Sequence, residues 1–130
     1  MEVTLVTYVD GFVIPIQKKN VNAYRRMAKA SSKIFKEHGA VEFRECVADD
    51  LSVTDPQTGK RVALFPRMVK PKPGETILFS WVVYRSKTQR DRANAKIMKD
   101  PRILKIMAGK PMPFDMKRMA YGGFKAIVEA

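Results

Sequence analysis

The stretch from Glu75 to Tyr84 reads ETILFSWVVY and decides the fold of this chain. In an extended strand, successive side chains point to opposite faces of the sheet. One face of this stretch carries Ile77, Phe79, Trp81 and Val83, and the other carries Leu78, Ser80, Val82 and Tyr84. Because both faces are mainly apolar, the pattern predicts a central strand that is covered on both sides.

Turn and cap residues mark both ends of this strand. Pro71, Pro73 and Gly74 precede it and indicate a turn. Ser86, followed three residues later by Gln89, has the spacing of a helix capping box. The sequence therefore predicts that a helix begins directly after the central strand.

The rest of the chain alternates between strand and helix patterns. Further strands are predicted from about Val3 to Ile16, from Ala40 to Ala48 and from about Met119 to Val128, with an extended edge segment over Arg61 to Val69. Helices are predicted from Val21 to His38, after Ser86, and from Asp100 through Met107. Asp55, Pro56 and Gly59 predict the tip of a protruding hairpin or loop.

The order of these elements is βαβ, loop, βαβ, which predicts the α+β class. Right-handed crossovers place both main helices on one face of a four-stranded antiparallel sheet, the ferredoxin-like βαββαβ arrangement. A chain of 130 residues can bury one core, so residues 1–130 are predicted to form a single domain. The other sheet face is apolar and uncovered, which predicts a homodimer that pairs sheet against sheet.

The charge balance is strongly basic. The chain has 25 lysine and arginine residues against 13 aspartate and glutamate residues, a formal net charge of +12. Many of these cations fall on the predicted helices, where they form either a solvated surface or a layer that attracts polyanions. No aromatic-rich RNA-binding motif is present, so any nucleic-acid binding is expected to be weak, nonspecific and sensitive to salt.

Little in the sequence points to a membrane, a metal or a cofactor. No apolar run approaches the roughly twenty residues that span a bilayer. The first residues alternate as in a strand and lack a secretory pattern, so we expect a cytoplasmic location. Cys46 is the only cysteine and His38 the only histidine, so common zinc-ligand patterns are absent. Neither a metal nor a cofactor is predicted.

Six residues are candidates for a ligand pocket between the sheet and the helices. They are Asp10, Trp81, Arg90, Asn94, Asp115 and Tyr121. An arginine beside an asparagine offers donors for a carboxylate or enolate oxygen, and an aspartate with a raised pKa can act as a base. Each residue also has a purely structural interpretation, in which Arg90 lies in solvent, Trp81 belongs to the core and Asp115 caps a loop.

Methionine is concentrated late in the chain. The cluster consists of Met98, Met107, Met112, Met116 and Met119. Flexible thioethers fill irregular gaps in cores and also line permissive pockets. Core filling is the interpretation that the sequence favours.

Several motifs, in the same order over nearly the whole chain, resemble the YbaA-like family of small bacterial proteins. They include Tyr8-Val9-Asp10-Gly11-Phe12-Val13, Glu45-Cys46-Val47-Ala48-Asp49-Asp50, Met112-Pro113-Phe114-Asp115 and Arg118-Met119-Ala120-Tyr121-Gly122-Gly123-Phe124. This resemblance implies a dimeric α+β barrel, in which ferredoxin-like monomers pair through their sheets. The family itself is of unknown function, so the resemblance brings a fold and no activity.

The wider dimeric α+β barrel group includes cofactor-free monooxygenases, haem-binding enzymes, isomerases and ligand-binding modules. By analogy with that group, we expect a small molecule to bind between sheet and helices, with cofactor-independent oxidation or isomerisation as the reaction. Two alternatives are a non-enzymatic binding or stress-associated module, and weak polyanion binding through the basic helices.

Overall fold

A computed structural model describes residues 5–51, 54–60, 65–108 and 111–130 of the chain. The strands are β1 (Tyr8–Gln17), β2 (Glu42–Val47), β3 (Glu75–Tyr84) and β4 (Ala120–Lys125). The helices are α1 (Val21–Glu37), α2 (Phe65–Val69), α3 (Lys87–Lys99) and α4 (Pro101–Met107), with 3-10 turns at Lys18–Asn20 and Met116–Arg118. Among these helices, none is long and apolar enough to cross a membrane.

The four strands form one antiparallel sheet in the order β2-β3-β1-β4. The strand β3 has the predicted bounds and pairs with β1 over ten residues on one side and with β2 on the other. This topology is the ferredoxin-like α+β arrangement that the element order predicts. The central position of Glu75–Tyr84 is thereby confirmed.

One face of the sheet is buried under helices. On β3 this face presents Leu78, Val82 and Tyr84, which are all buried. Leu78 packs in a cluster with Tyr24 and Ala28 of α1, and Val82 and Tyr84 pack in a second cluster with Ala93 and Ile97 of α3. The helices therefore bury the side of the sheet that carries Ser80, and Trp81 falls on the opposite side.

Ser86 and Asp100 cap α3 and α4 as predicted, whereas Asn20, also predicted as a cap, makes no side-chain cap bond at the start of α1. The Ser86 hydroxyl accepts a hydrogen bond from the Gln89 amide at 3.1 Å, which satisfies one free donor in the first turn of α3. The Asp100 carboxylate accepts from the Arg102 amide at 2.9 Å, with Pro101 in the first turn of α4. His38 Nε2 lies 2.8 Å from Asp100 Oδ2 and joins the end of α1 to the α3–α4 junction.

Three predicted elements need correction, and one of them is the last strand, which spans Ala120–Lys125 and does not extend to Val128. The first strand begins at Tyr8, and the predicted start at Val3 lies outside the described residues. Phe65–Val69 is a short helix, where an extended segment was predicted from Arg61 onward. Pro66 is compatible with both structures, since proline is tolerated in the first turn of a helix as well as in an edge strand.

The second face of the sheet, here called the open face, is apolar and only partly covered. Phe65 of α2 packs against Phe79 with ring centres 5.8 Å apart and the rings tilted, and the Phe79 and Trp81 ring centres are 5.5 Å apart. Phe79 is 45% exposed and Phe124 is 63% exposed. A large apolar surface therefore remains on this side of the chain.

Candidate functional site

A chamber of about 250 Å³ lies between the buried sheet face and helices α1, α3 and α4. We call it the inner chamber, and its apolar walls include Phe12, Phe35, Phe43, Ile97, Phe114 and Met119. Phe35 and Phe43 meet edge to face with ring centres 5.4 Å apart, which joins α1 to β2 on one wall. The position of the chamber between sheet and helices is where the sequence predicted a pocket.

The methionines of the late cluster line this chamber. All five predicted members, Met98, Met107, Met112, Met116 and Met119, contribute to its walls, together with Met27 of α1. Met98 and Met116 are exposed on their outer sides, so they do not fill a closed core. The structure therefore favours the pocket-lining interpretation, since flexible thioethers let a wall adapt to ligands of different shape.

The segment of residues 111–119, here called the cover segment, closes one side of the chamber. The Asn20 side chain donates to the Pro113 carbonyl at 3.1 Å and ties this segment to the start of α1. Arg118 donates two bonds of 2.8 and 2.9 Å to the Glu75 carboxylate at the start of β3. This bidentate pair fixes the end of the cover segment against the sheet.

One polar group interrupts the apolar wall. The Tyr24 hydroxyl of α1 donates to Glu45 Oε2 of β2 at 2.8 Å. Burial raises the pKa of Glu45, and the hydroxyls of Tyr24 and Ser80 oppose that rise. Burial and the Glu45 charge raise the pKa of Tyr24, so this phenol stays protonated and remains a donor.

Ser80 contributes a third polar atom to the same wall. Its hydroxyl is buried and has no hydrogen bond of good geometry with a described residue, although it lies close enough to Glu45 and Tyr24 to affect both pKa values. A buried hydroxyl without a firm partner is costly in a structural core and is available to a polar ligand atom. We therefore describe Tyr24, Glu45 and Ser80 together as the polar wall of the chamber.

A second cavity of about 320 Å³ opens between α1 and the outer edge of β2. We call it the outer crevice, and its lining includes Val21, Arg25, Lys29, Ser32, Cys46 and Val47. The outer crevice and the inner chamber share Tyr24, Ala28, Phe43 and Glu45 as lining residues. The hydrogen bond between Tyr24 and Glu45 thus lies at the partition between the two cavities.

Three of the six predicted pocket residues come together elsewhere, at the β4 edge of the sheet. Arg90 Nη1 of α3 lies 2.6 Å from Asp10 Oδ1 and 3.2 Å from the Tyr121 hydroxyl. The Arg90 Nε atom also donates to Asp91 at 2.8 Å. Arg90 is therefore held by two carboxylates and does not lie free in solvent. We call Asp10, Arg90 and Tyr121 the edge cluster.

Aromatic rings surround the edge cluster. The Arg90 guanidinium lies 4.7 Å from the centre of the Tyr8 ring, a cation–π contact. The same ring occupies the space beside Gly123, where an added Cβ would come within 2.7 Å of Tyr8 Cε2. The Tyr84 hydroxyl is buried without a hydrogen-bond partner among the described residues, and burial raises its pKa, with a further rise from the Asp10 charge. The cluster is tightly packed and anchors α3 to the sheet.

The other three predicted residues do not join the edge cluster. Trp81 pairs with Gly11 in the sheet register and lies on the open face, with the Arg44 guanidinium 6.0 Å from its ring centre. Asn94 is half-buried on α3, and no hydrogen bond joins its side chain to Arg90. Asp115 accepts from the Lys117 amide at 3.0 Å and caps the 3-10 turn in the cover segment. Trp81 therefore does not converge with Arg90 and Asn94, because alternate residues of β3 face opposite sides of the sheet.

Sequence reasoning missed the polar wall. Glu45 lies between Phe43 and Val47 on the strand face that points toward α1, so its charge interrupts an apolar run. That interruption was a usable signal, but the face of β2 that meets the helices had to be known first. Within the described ranges, no group of three histidine, cysteine, aspartate or glutamate side chains is arranged to hold a metal ion.

The comparisons with known proteins agree with the architecture. The chain is 44% identical over 125 residues to the uncharacterized protein YbaA of Escherichia coli strain K12, covering 94% of this chain and 97% of that protein.

Two solved structures share the fold at low identity. A dimeric ferredoxin-like protein from an uncultured marine organism has a TM-score of 0.55 at 10% identity, covering 96% of this chain and 99% of that one. The protein Rv0793 from Mycobacterium tuberculosis has a TM-score of 0.56 at 16% identity, covering 95% and 98% of the two chains.

A family model described as a protein of unknown function, DUF1428, matches residues 7–116. This match and the identity to YbaA confirm the resemblance that the sequence motifs indicated. The chain belongs to the DUF1428 family, whose members include YbaA-like proteins and whose function is not established.

Proposed function

We propose that the protein binds a small, mainly apolar organic molecule in the inner chamber and that Glu45 exchanges a proton with it. One observation carries this proposal. A partly buried carboxylate with a raised pKa lies on the wall of an otherwise apolar chamber of about 250 Å³. Apolar pockets with a few placed polar groups are the usual form of small-molecule sites.

The chemistry follows from the environment of Glu45. A carboxylate removes a proton most effectively when its pKa lies nearer to the working pH, and burial shifts Glu45 in that direction. Tyr24 orients the carboxylate through its 2.8 Å hydrogen bond, and the Ser80 hydroxyl is available for a ligand oxygen. Proton removal next to a carbonyl begins an isomerisation, which ends when the Glu45 carboxyl returns the proton to a different carbon. Proton removal from a phenol begins a cofactor-independent oxidation, in which dissolved dioxygen would be the oxidant. These are the reaction classes that the chamber suits.

A fluorescent probe tests the chamber directly. The neutral dye N-phenyl-1-naphthylamine should bind with a stoichiometry of one per chain and gain fluorescence in an apolar site. The Ser31→Leu variant extends a side chain from α1 into the chamber wall and should weaken this binding by about tenfold or more. Because the Ser31 hydroxyl only donates back to the Met27 carbonyl at 2.9 Å, its loss should not unfold α1.

The matched control is Ala95→Leu, which adds the same side chain to the exposed face of α3. Circular dichroism should show a folded protein in both variants. Absence of dye binding to the unmodified protein, or equal binding in the two variants, would refute the chamber as a binding site. Native mass spectrometry of the protein from its own host would then identify any natural ligand that is retained.

The non-enzymatic binding module uses the same chamber and differs only in the role of Glu45. Once a ligand is identified, the Glu45→Gln variant should still bind it. The variant should no longer catalyse exchange of the ligand's acidic hydrogen with solvent deuterium. Unchanged exchange in this variant would leave binding as the function and remove the proton-transfer step.

We propose further that the chain forms a homodimer through the open face. The exposed apolar surface around Phe79 and Phe124 supports this proposal, and the marine ferredoxin-like protein with the same fold is described as dimeric. The open face lies on the opposite side of the sheet from the inner chamber, so each chamber stays accessible. Sedimentation at micromolar concentration should give twice the 14.8 kDa chain mass.

Weak polyanion binding and a cytoplasmic location remain predictions. Arg25, Arg26, Lys29, Lys33 and Lys36 of α1 are all exposed, which supports a long-range attraction for polyanions. Binding of heparin or DNA should fall steeply between 50 and 200 mM salt, since the attraction depends on counterion release. A flat salt dependence would remove this alternative.

A further inference from the structure

We propose that the ligand of the inner chamber carries an acidic head group, a carboxylate or sulfonate, which binds Arg25 and Lys29 at the mouth of the outer crevice. This inference rests on the proposed function, because it assigns the charge of the molecule that the chamber accepts. It also gives the basic face of α1 a specific role in place of general solubility.

The two cations are placed together by the helix. Arg25 and Lys29 are four residues apart on α1, so they lie on the same side of the helix, and both line the outer crevice. Arg25 Nη1 bonds the neutral Asn22 side chain at 3.2 Å. Within the described part of the chain, neither cation forms an ion pair with a carboxylate.

Three other arginines of the chain form close ion pairs within the protein. Arg90, Arg102 and Arg118 lie 2.6, 2.6 and 2.8 Å from carboxylate oxygens of Asp10, Glu37 and Glu75. Their charge is neutralised within the protein, and their positions are fixed by those pairs. Arg25 and Lys29 differ because, among the described residues, neither forms such a counterpart pair, and no ion pair joins them to Glu45, the carboxylate that lines the same crevice. An anionic group in the outer crevice would provide such a counterpart.

The outer crevice leads toward the inner chamber. The two cavities adjoin at Tyr24, Ala28, Phe43 and Glu45, so the proposed ligand, with its head at the crevice mouth, would enter the inner chamber by displacing the hydrogen bond between Tyr24 and Glu45. The pKa of Glu45 responds to burial, Tyr24 and Ser80, and the two rim cations are not among its causes. Arg25, Lys29 and Glu45 all line the outer crevice, so the head group can bind the two cations while the body of the ligand contacts Glu45.

Two dyes with the same aromatic body separate charge from shape. They are 8-anilinonaphthalene-1-sulfonate, which carries a sulfonate, and N-phenyl-1-naphthylamine, which lacks it. The unmodified protein should bind the sulfonate dye more tightly than the neutral dye, and the affinity ratio should fall as salt screens the cations. In Arg25→Gln/Lys29→Gln the ratio should fall by about five- to tenfold, because two partly exposed charge contacts are lost.

The control variant is Arg26→Gln/Lys96→Gln. It removes the same net charge from exposed positions on α1 and α3 that do not line the outer crevice. This control should keep the affinity ratio of the unmodified protein within about twofold, since distant surface charges are screened. The neutral dye should bind all three proteins equally.

The outcomes distinguish the two proposals. If the neutral dye does not bind, the proposal that the inner chamber binds a small molecule is refuted, and the head-group inference is refuted with it. If the neutral dye binds but both double variants show the same affinity ratio, the chamber stands and the role of Arg25 and Lys29 is refuted.

Discussion

At the scale of single residues, burial of the ionised Glu45 carboxylate lowers the free energy of unfolding. Burial raises its pKa, so the folded protein holds the carboxyl proton to a higher pH than the unfolded chain does. Between the unfolded and folded pKa values the folded state binds more protons, and the free energy of unfolding therefore falls as pH rises through that window. Carboxyl groups with this property concentrate at functional sites.

The Glu45→Gln variant should remove this dependence. Glutamine is neutral at every pH and can still accept the Tyr24 hydrogen bond, so the variant should gain stability relative to the unmodified protein as pH rises from about 4 toward neutrality. Urea unfolding at a series of pH values measures the effect. Glu42→Gln, which removes an exposed carboxylate from the same strand, is the control for net charge. Parallel stability curves for Glu45→Gln and the unmodified protein would contradict the assignment.

For the edge cluster, substitution of the carboxylate should lower stability, whereas Glu45→Gln should raise it. The side chains of Asp10 and Arg90 are only 4% and 13% exposed, so Asp10→Asn weakens a charge-assisted bond in a buried setting and should cost about 2 kcal/mol of stability. Asp91→Asn alters the other carboxylate on Arg90, which is 59% exposed, and should cost less than about 1 kcal/mol.

Dye binding decides what the edge cluster does. Because the cluster anchors α3 and does not line the inner chamber, binding of N-phenyl-1-naphthylamine should be unchanged in Asp10→Asn under folding conditions. A loss of dye binding without a loss of stability would mean that Asp10 contributes to the ligand site, as the sequence predicted.

The limits of prediction at this scale follow from strand geometry. Asp10, Arg90 and Tyr121 were grouped correctly because β1, β4 and α3 meet at one edge of the sheet. Trp81 was misplaced because a shift of one residue reverses the face of a strand, and both faces of β3 are apolar. Apolar pattern alone cannot select the buried face of such a strand. The helix contacts of Leu78 and Val82 make that selection.

At the scale of elements, the cap of α3 is a small and measurable contribution. Ser86→Ala removes the hydroxyl that accepts from the Gln89 amide and should cost about 1 kcal/mol. Thr88→Ala is the control within the same helix, since it replaces an exposed residue and should be neutral or slightly stabilising. Thermal or urea unfolding gives both values. Equal effects of the two changes would mean that the cap contributes nothing beyond helix propensity.

The elements were predicted best where local chemistry and burial agree. α1 ends near Gly39, which has a φ of +123°, a conformation that glycine adopts readily, and β3 has the predicted ends. The short helix α2 was missed because five residues contain too little of a 3.6-residue period to outweigh the β-branched and aromatic residues around Pro66. Contacts with the sheet, such as Phe65 on Phe79, stabilise it and are invisible in the local sequence.

At the scale of the whole molecule, the two faces of the sheet have different surroundings. One face and its helices enclose the inner chamber, and the open face carries apolar residues that a monomer would leave in water. The order of strands and helices in the sequence predicted the ferredoxin-like fold, and the apolar character of both sheet faces predicted a second copy as cover. The sequence did not show that α2 covers part of the open face. The remaining exposed surface, around Phe79 and Phe124, is where the partner is expected.

A charge placed on the open face should separate the proposed dimer. Phe79→Asp replaces a 45% exposed aromatic residue and would bury two carboxylates near each other in a twofold interface, an arrangement that strongly disfavours association. Sedimentation should change from twice the chain mass to the 14.8 kDa monomer. Met98→Asp, on the helix side of the chain and 70% exposed, is the control and should stay dimeric. Since Phe79 lies across the sheet from the inner chamber, the separated monomer should still bind the neutral dye. A Phe79→Asp protein that remains dimeric would place the interface elsewhere.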